Sequence, residues 1–167
     1  SLGEQTPDLD DPQRLAGFFA AVQRLAAEGR LRAYHDRSDG GLLAALAEMA
    51  FAGRCGLAAD LAGPAAGCEP EAALFAEELG AAVQVAPGGR DAALAVLAEN
   101  GLADCVHVLG SPREDDRLVV TAAERSLLDA DRVTLQRIWS ETTFHMQALR
   151  DDPECAREEY DRLLDRK

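Results

Sequence analysis

The chain has 167 residues, 47% of them hydrophobic and 5% aromatic, with 17 basic against 30 acidic side chains and a formal net charge of -13 at pH 7. That size suits one ordinary domain, or one domain with a helical tail, built on an Ala, Leu and Val core. The acidity argues against a nucleic-acid partner, because phosphate backbones are bound by clustered Lys and Arg, and no apolar run reaches the roughly 18 residues of a membrane span.

The start, Ser1-Leu2-Gly3-Glu4, has neither the basic nor the apolar region of a secretory signal, and residues 1–10 read as an extended lead-in. Asp11 is placed to cap a helix with Pro12 in its first turn, and Leu15, Phe18, Val22 and Leu25 follow at helical spacing up to Gly29. Leu31 to Asp36 reads as a strand, and a glycine turn then opens a helix over about 41–53. Cys55 to Leu61 reads as the next strand, and Glu69-Pro70-Glu71 starts a third helix expected to run through Leu79. Ala81 to Ala86 is a strand of buried type, and Asp91 to Asn100 a fourth helix stopped by Gly101. Val106 to Leu109 and Leu118 to Thr121 read as strands separated by a polar loop, Ser111-Pro112-Arg113-Glu114-Asp115-Asp116, with a weaker extended run over Ser126 to Asp129. From Arg132 a long helix carries Val133, Leu135, Ile138, Trp139, Thr142, Met146 and Leu149 on a broad face. Asp152-Pro153 breaks it before a last, strongly charged helix. The alternation predicts an α+β fold, a mixed sheet packed with helices, over 1–130, followed by a helical extension over 131–167.

Cysteines 55, 68, 105 and 155 form no C-x-x-C pair, and the histidines at 35, 107 and 145 supply no zinc spacing. Free thiols in a reducing, cytoplasmic compartment are the expectation. The segment His35-Asp36-Arg37-Ser38-Asp39-Gly40-Gly41 stands apart, because a strand turning through two glycines into a helix leaves N–H groups at a positive dipole end, suited to an oxyanion. Two carboxylates and a hydroxyl in that turn are oxygen donors fit for Mg2+. The structural alternative is equally open: Asp39 as an N-cap, Ser38 as a turn residue, and His35 as a packed or hydrogen-bonded histidine at a strand end. Glu141 and His145 read as a surface i, i+4 pair. Glu77 and Glu78 fall in the last turn of the third predicted helix, where the dipole disfavours carboxylates, which points to contacts elsewhere or to an ordinary solvated acidic end.

The string Ala33-Tyr34-His35-Asp36-Arg37-Ser38-Asp39-Gly40-Gly41-Leu42-Leu43, continuing to Gly53, resembles phosphoribosylformylglycinamidine synthase in its large single-chain form. Leu74-Phe75-Ala76-Glu77-Glu78-Leu79-Gly80, Gly101 to Val106, Trp139-Ser140-Glu141-Thr142-Thr143 and Pro153-Glu154-Cys155 agree in order, so the resemblance runs over roughly 2–157. It implies a fold like the C-terminal domain of aminoimidazole ribonucleotide synthetase. It also implies that the chain is a fragment: the C-terminal subdomain of the second synthetase half, with the start of the linker to a glutaminase domain. The family reaction is an ATP-dependent ligation that converts formylglycinamide ribonucleotide to its amidine with ammonia from glutamine. On this resemblance Asp36 is a Mg2+ ligand and Ser38 contacts the nucleotide, at an auxiliary ATP or ADP site rather than the turnover site. The catalytic residues belong to absent parts, so none is assigned here, and the isolated piece is expected to be inactive and to bind Mg-ADP poorly. The expected partners are the remaining domains of the same enzyme and the nucleotide, with no membrane. Two other readings stand beside this one: a scaffold module that docks neighbouring domains without a ligand of its own, and a stand-alone kinase-like relative.

Overall fold

The computed structural model describes Leu9 and residues 11–166, so the lead-in expected over 1–10 lies almost wholly outside the described residues. In chain order the elements are α1 (Pro12–Ala27), β1 (Leu31–Asp36), α2 (Gly41–Gly53), β2 (Gly56–Asp60), α3 (Pro70–Phe75), β3 (Ala81–Val85), α4 (Arg90–Glu99), β4 (Gly110–Arg113), β5 (Arg117–Ala122), β6 (Arg125–Asp131), α5 (Arg132–Arg150) and α6 (Pro153–Asp161), with a 3-10 turn over Arg162–Leu164. The chain folds as two compact units, residues 1–46 with 63–108, and 47–62 with 109–167. Together they make the expected mixed α/β architecture, but with two sheets in place of one.

In the first unit β1 and β3 pair antiparallel, from Asp36 opposite Ala81 to Leu31 opposite Val85, with an irregularity between Leu31 and Ala33. The Asp11 carboxylate caps α1 by accepting from the N–H groups of Gln13 (2.9 Å) and Arg14 (3.3 Å), with Pro12 in the first turn. Gly29, at φ +65°, ends it, and the Arg30 N–H returns to the Leu25 carbonyl at 2.9 Å, which closes the last turn. Ala21 and Leu25 of α1 form the core with Ala93, Val96 and Leu102, and Phe18, Leu31, Val85, Leu97 and Val106 pack around it. Burying such side chains stabilises by about 1.5–3 kcal/mol for each large one.

In the second unit the strand order is β4-β2-β5-β6, with β2 parallel to β5 and the other pairs antiparallel. Leu61, Leu118 and Val120 are fully buried there. Gly110 lets β4 approach β2: a Cβ at that position would stand 1.9 Å from the Ala58 carbonyl oxygen. Asp131 caps α5 through the Thr134 N–H (2.8 Å), and Asp152 caps α6 through Glu154 and Cys155. Helices α5 and α6 are joined by the stacked rings of Phe144 and Tyr160, 4.6 Å apart, and by Arg137, whose guanidinium lies over Tyr160.

Three sequence expectations are corrected here. Helix α3 stops at Phe75, not Leu79, because the segment after it turns to other partners. The strand expected over 106–109 is absent, and β4 instead runs through Gly110–Arg113, starting one residue before the stretch read as a polar loop and taking up its first half. Asp39 is not the cap of α2, because the helix begins at Gly41 and the Asp39 carboxylate makes no hydrogen bond among the described residues.

Candidate functional site

The turn between β1 and α2 is fixed by glycine geometry. Gly41 N–H donates to the Ser38 carbonyl at 2.8 Å, closing a turn over residues 38–41. Gly40, third in that turn, has φ +80°, a value the third position of a type II turn demands and glycine supplies without strain. Gly41 has φ +68° as well, and an added Cβ there would lie 2.5 Å from the Leu74 carbonyl oxygen and 2.8 Å from the Phe75 carbonyl carbon. Both glycines are therefore required, one by conformation and the other by conformation and space.

Strand β1 alternates, so Arg32, Tyr34 and Asp36 are exposed while Leu31, Ala33 and His35 are half-buried. Asp36 is the last residue of the strand, and Ser38 and Asp39 follow it on the exposed turn. Among the described residues, the Asp36 and Asp39 carboxylates and the Ser38 hydroxyl make no hydrogen bond or ion pair. Burial, helped by the charge of Asp36, raises the Tyr34 phenol above its usual range. His35 matches the expectation for it: Nδ1 lies 2.6 Å from the Asp36 carbonyl oxygen. At the start of α2, helix geometry leaves the N–H groups of Leu42 and Leu43 without intrahelical acceptors.

The segment after α3 wraps onto this turn. Arg37 N–H donates to the Gly80 carbonyl at 2.8 Å, one step beyond the Asp36–Ala81 pair of the β1–β3 ladder. Its guanidinium donates to the carbonyls of Glu78 (2.6 Å) and Leu79 (3.3 Å). Burial pulls the Arg37 guanidinium below its usual range, against the opposing charge of Glu78. Glu77 Oε1 accepts the Gly40 N–H at 3.0 Å. The carboxylate that sits badly at a helix end in the sequence thus has a partner elsewhere, at the N-terminal end of another helix, where the dipole favours it. Arg37 carried no comparable signal, because nothing local reveals that its side chain turns back onto carbonyls more than 40 residues on.

The donor set is one of hard oxygen atoms, which suits Mg2+ bound together with phosphate. Among the described residues no three His, Cys, Asp or Glu side chains are grouped to hold a metal ion. Asp36 accordingly offers a single carboxylate, enough for a share of a coordination sphere and not for a whole one. The other surface pair noted in the sequence, Glu141 and His145, lies at 4.0 Å with both side chains well exposed. The four cysteines are free, and three of them are exposed.

The turn, Arg37 and the 77–80 segment all fall within residues 2–123, the region matched by the family described as AIR synthase related protein, C-terminal domain. Among solved structures, Thermotoga maritima PurL complexed with ATP has a similar fold, with a TM-score of 0.67 and 19% identity over 75% of this chain and 22% of that chain. PurL complexed with FGAR gives 0.63 and 19% over 71% and 20%, and PurLQS from the same organism gives 0.65 and 19% over 75% and 22%. This chain therefore spans about a fifth of the length of those it matches. At such identities the likeness is one of fold, whereas the family match runs over well more than half of the chain. The chain belongs to the AIR synthase related family, as a C-terminal domain of that type.

Proposed function

We propose that this chain is part of a phosphoribosylformylglycinamidine synthase, the ATP-dependent, glutamine-using ligase of purine biosynthesis, and that its 36–41 turn supplies one wall of a Mg-nucleotide site. Asp36 gives a carboxylate oxygen to Mg2+, and Ser38 gives its hydroxyl to the phosphates of ATP or ADP. One observation carries this: an exposed carboxylate and an exposed hydroxyl, neither engaged by the described residues, stand on a glycine turn that leads into a helix N-terminus. Bound Mg2+ would offset phosphate charge there. The chain's own groups orient the nucleotide and hold the ion from one side. Further ligands come from neighbouring domains of the same enzyme, and the site is auxiliary, so no residue of this chain is catalytic. The glutaminase chemistry lies in another domain, residues 131–167 lead toward it, and the enzyme works in the cytoplasm. That PurL of similar fold has been obtained with ATP, with ADP and with AMPPCP supports a nucleotide as the ligand.

A scaffold role without a ligand is the second reading. It is favoured by Ile138, Trp139, Met146 and Leu149 of α5, which are 60–89% exposed, an apolar burden unusual for a face meant for water. A Mg-ADP titration followed by thermal unfolding separates the two, run on the full-length polypeptide carrying this chain beside Asp36→Asn. A ligand at ~100 times its Kd stabilises by about 2.7 kcal/mol, so binding registers as a rise of several degrees. The nucleotide reading expects that rise and its loss in Asp36→Asn. Equal stabilisation of both proteins would refute the role of Asp36 and leave packing as the function of this surface.

A further inference from the structure

Four consecutive residues, Glu77 to Gly80, each accept one hydrogen bond from the 36–41 turn. The Glu77 carboxylate takes Gly40 N–H, and the carbonyls of Glu78, Leu79 and Gly80 all go to Arg37, two to its guanidinium and one to its N–H. We propose that Arg37 and Glu77 are positioning residues: they lock the turn to this segment and thereby hold Asp36 and Ser38 in a fixed relation before any ligand arrives. The proposal rests on the nucleotide reading given above and adds to it the residues that set its affinity.

The physical need for such a lock is plain from the turn itself. It is exposed from Ser38 to Gly40, with Gly41 buried behind it, and it holds two adjacent glycines with the broadest backbone freedom of any residue. Left alone, it would lose conformational entropy when a ligand fixed it, and affinity would fall accordingly. Arg37 lies between the two proposed ligand-bearing residues. Its planar fork matches two successive carbonyls, a geometry a lysine ammonium does not reproduce. Glu77 holds the other end of the turn at Gly40. Its contact is to a backbone N–H, so an uncharged amide oxygen can make the same bond.

The test uses the full-length polypeptide carrying Arg37→Ala, Arg37→Lys, Glu77→Ala or Glu77→Gln, with Asp36→Asn as reference. Mg-ADP affinity is read by calorimetry, the unliganded melting temperature by thermal scan, and the freedom of the turn by amide hydrogen exchange at Gly40 and Gly41. The expectation is roughly tenfold weaker binding in Arg37→Ala and Glu77→Ala, with faster exchange at both glycines and little change in unliganded melting. Glu77→Gln should restore affinity and protection together, and Arg37→Lys, which keeps the charge and the aliphatic stem, should fall between wild type and Arg37→Ala. Unchanged affinity in both alanine variants, while Asp36→Asn loses binding, would overturn the lock and leave the site standing. A Glu77→Gln loss as large as that of Glu77→Ala would also overturn it, because the charge and not the bond would then matter. Binding undiminished in Asp36→Asn would remove the site and this proposal with it.

Discussion

Gly41 and Gly29 form a natural experiment in the same compact unit. Both have nearly the same backbone conformation, φ +68° and +65°, so an alanine at either carries the same left-handed strain, about 1–2 kcal/mol. Their surroundings differ. An added Cβ at Gly29 meets nothing within 4 Å, whereas at Gly41 it meets the Leu74 carbonyl oxygen at 2.5 Å and two Phe75 backbone atoms at 2.8 and 2.9 Å. Backbone cannot swing aside as a long side chain can, and forcing a methyl into filled space costs about 1–3 kcal/mol more. Gly41→Ala should therefore destabilise by about 2–5 kcal/mol and Gly29→Ala by about 1–2. Urea unfolding followed by far-UV circular dichroism measures both, with the slope checked so that the midpoints can be compared. Equal losses in the two variants would refute the close approach of Leu74 and Phe75 to the turn, and with it the explanation for a second glycine there.

Arg132 is 1% exposed; its Nε donates to Asp116 Oδ1 at 2.6 Å and Nη1 to Gln136 Oε1 at 2.8 Å, while Nη2 is buried without a partner among the described residues. Arg132→Ala should cost about 3–5 kcal/mol by taking the buried partner from Asp116, which keeps only the more exposed Arg166 Nη1 at 3.4 Å, whereas Arg132→Met with Asp116→Asn should recover most of that in urea unfolding; a single-variant loss below about 1 kcal/mol would contradict the buried pair. Gly110→Ala, with its Cβ 1.9 Å from the Ala58 carbonyl oxygen, should detach β4 and speed amide exchange at Asp60, whose N–H is held by the Leu109 carbonyl at 2.7 Å. The Arg113 guanidinium holds the Asp115 carboxyl down from 3.8 to about 2, and in Asp131 bonds from Arg166 and Thr134 outweigh burial, which pushes the other way. Depressed carboxyls stabilise the fold above their unfolded values, and that contribution is lost as pH falls through the folded ones, for Asp115 between about 4 and 2. Arg113→Gln should return the Asp115 titration toward its ordinary range, seen in its carboxyl NMR shift; an unmoved titration would rule out the pairing.

Much of the first unit was legible because its signals are local. Asp11 with Pro12, the apolar spacing of α1 and Gly29 specify a helix with both ends marked, and the structure has it at those residues. The run from Leu31 to Asp36 followed by two glycines gave the strand and the turn on which Asp36 and Ser38 sit. Ala76-Glu77-Glu78-Leu79 misled because all four residues favour helix. The carbonyls of Glu78 and Leu79 and the Glu77 carboxylate are instead taken by Arg37 and Gly40 from far along the chain, and tertiary bonds overrode propensity. The β4 strand misled for the opposite reason. Its residues are mostly exposed, so no alternation marks it, and Pro112 argues against a strand except at a sheet edge, which is where the strand order puts it. The division into two sheets had no local signal, because β1 finds its partner 45 or more residues later and β2 lies between them in sequence.

What the chain can do alone follows from counting donors at the turn. Mg2+ takes about six oxygen ligands in near-ideal octahedral geometry and keeps several as water. On the proposed reading the ion takes the Asp36 carboxylate, with Ser38 left for the phosphates; Asp39 is the only other carboxylate of the turn, and among the described residues no group of three His, Cys, Asp or Glu side chains completes the shell. A single carboxylate exposed to water gains little from an ion that water already solvates well. Preorganisation by Arg37 and Glu77 lowers the entropic cost of binding, but it adds no ligand atom. On the proposed reading, affinity therefore belongs to the longer polypeptide. The 167-residue chain alone should bind Mg-ADP at least about tenfold more weakly than the full-length protein, a difference calorimetry on the two would record. Equal affinity would mean that the turn and its lock hold the nucleotide unaided, and that the missing domains contribute nothing to the ion.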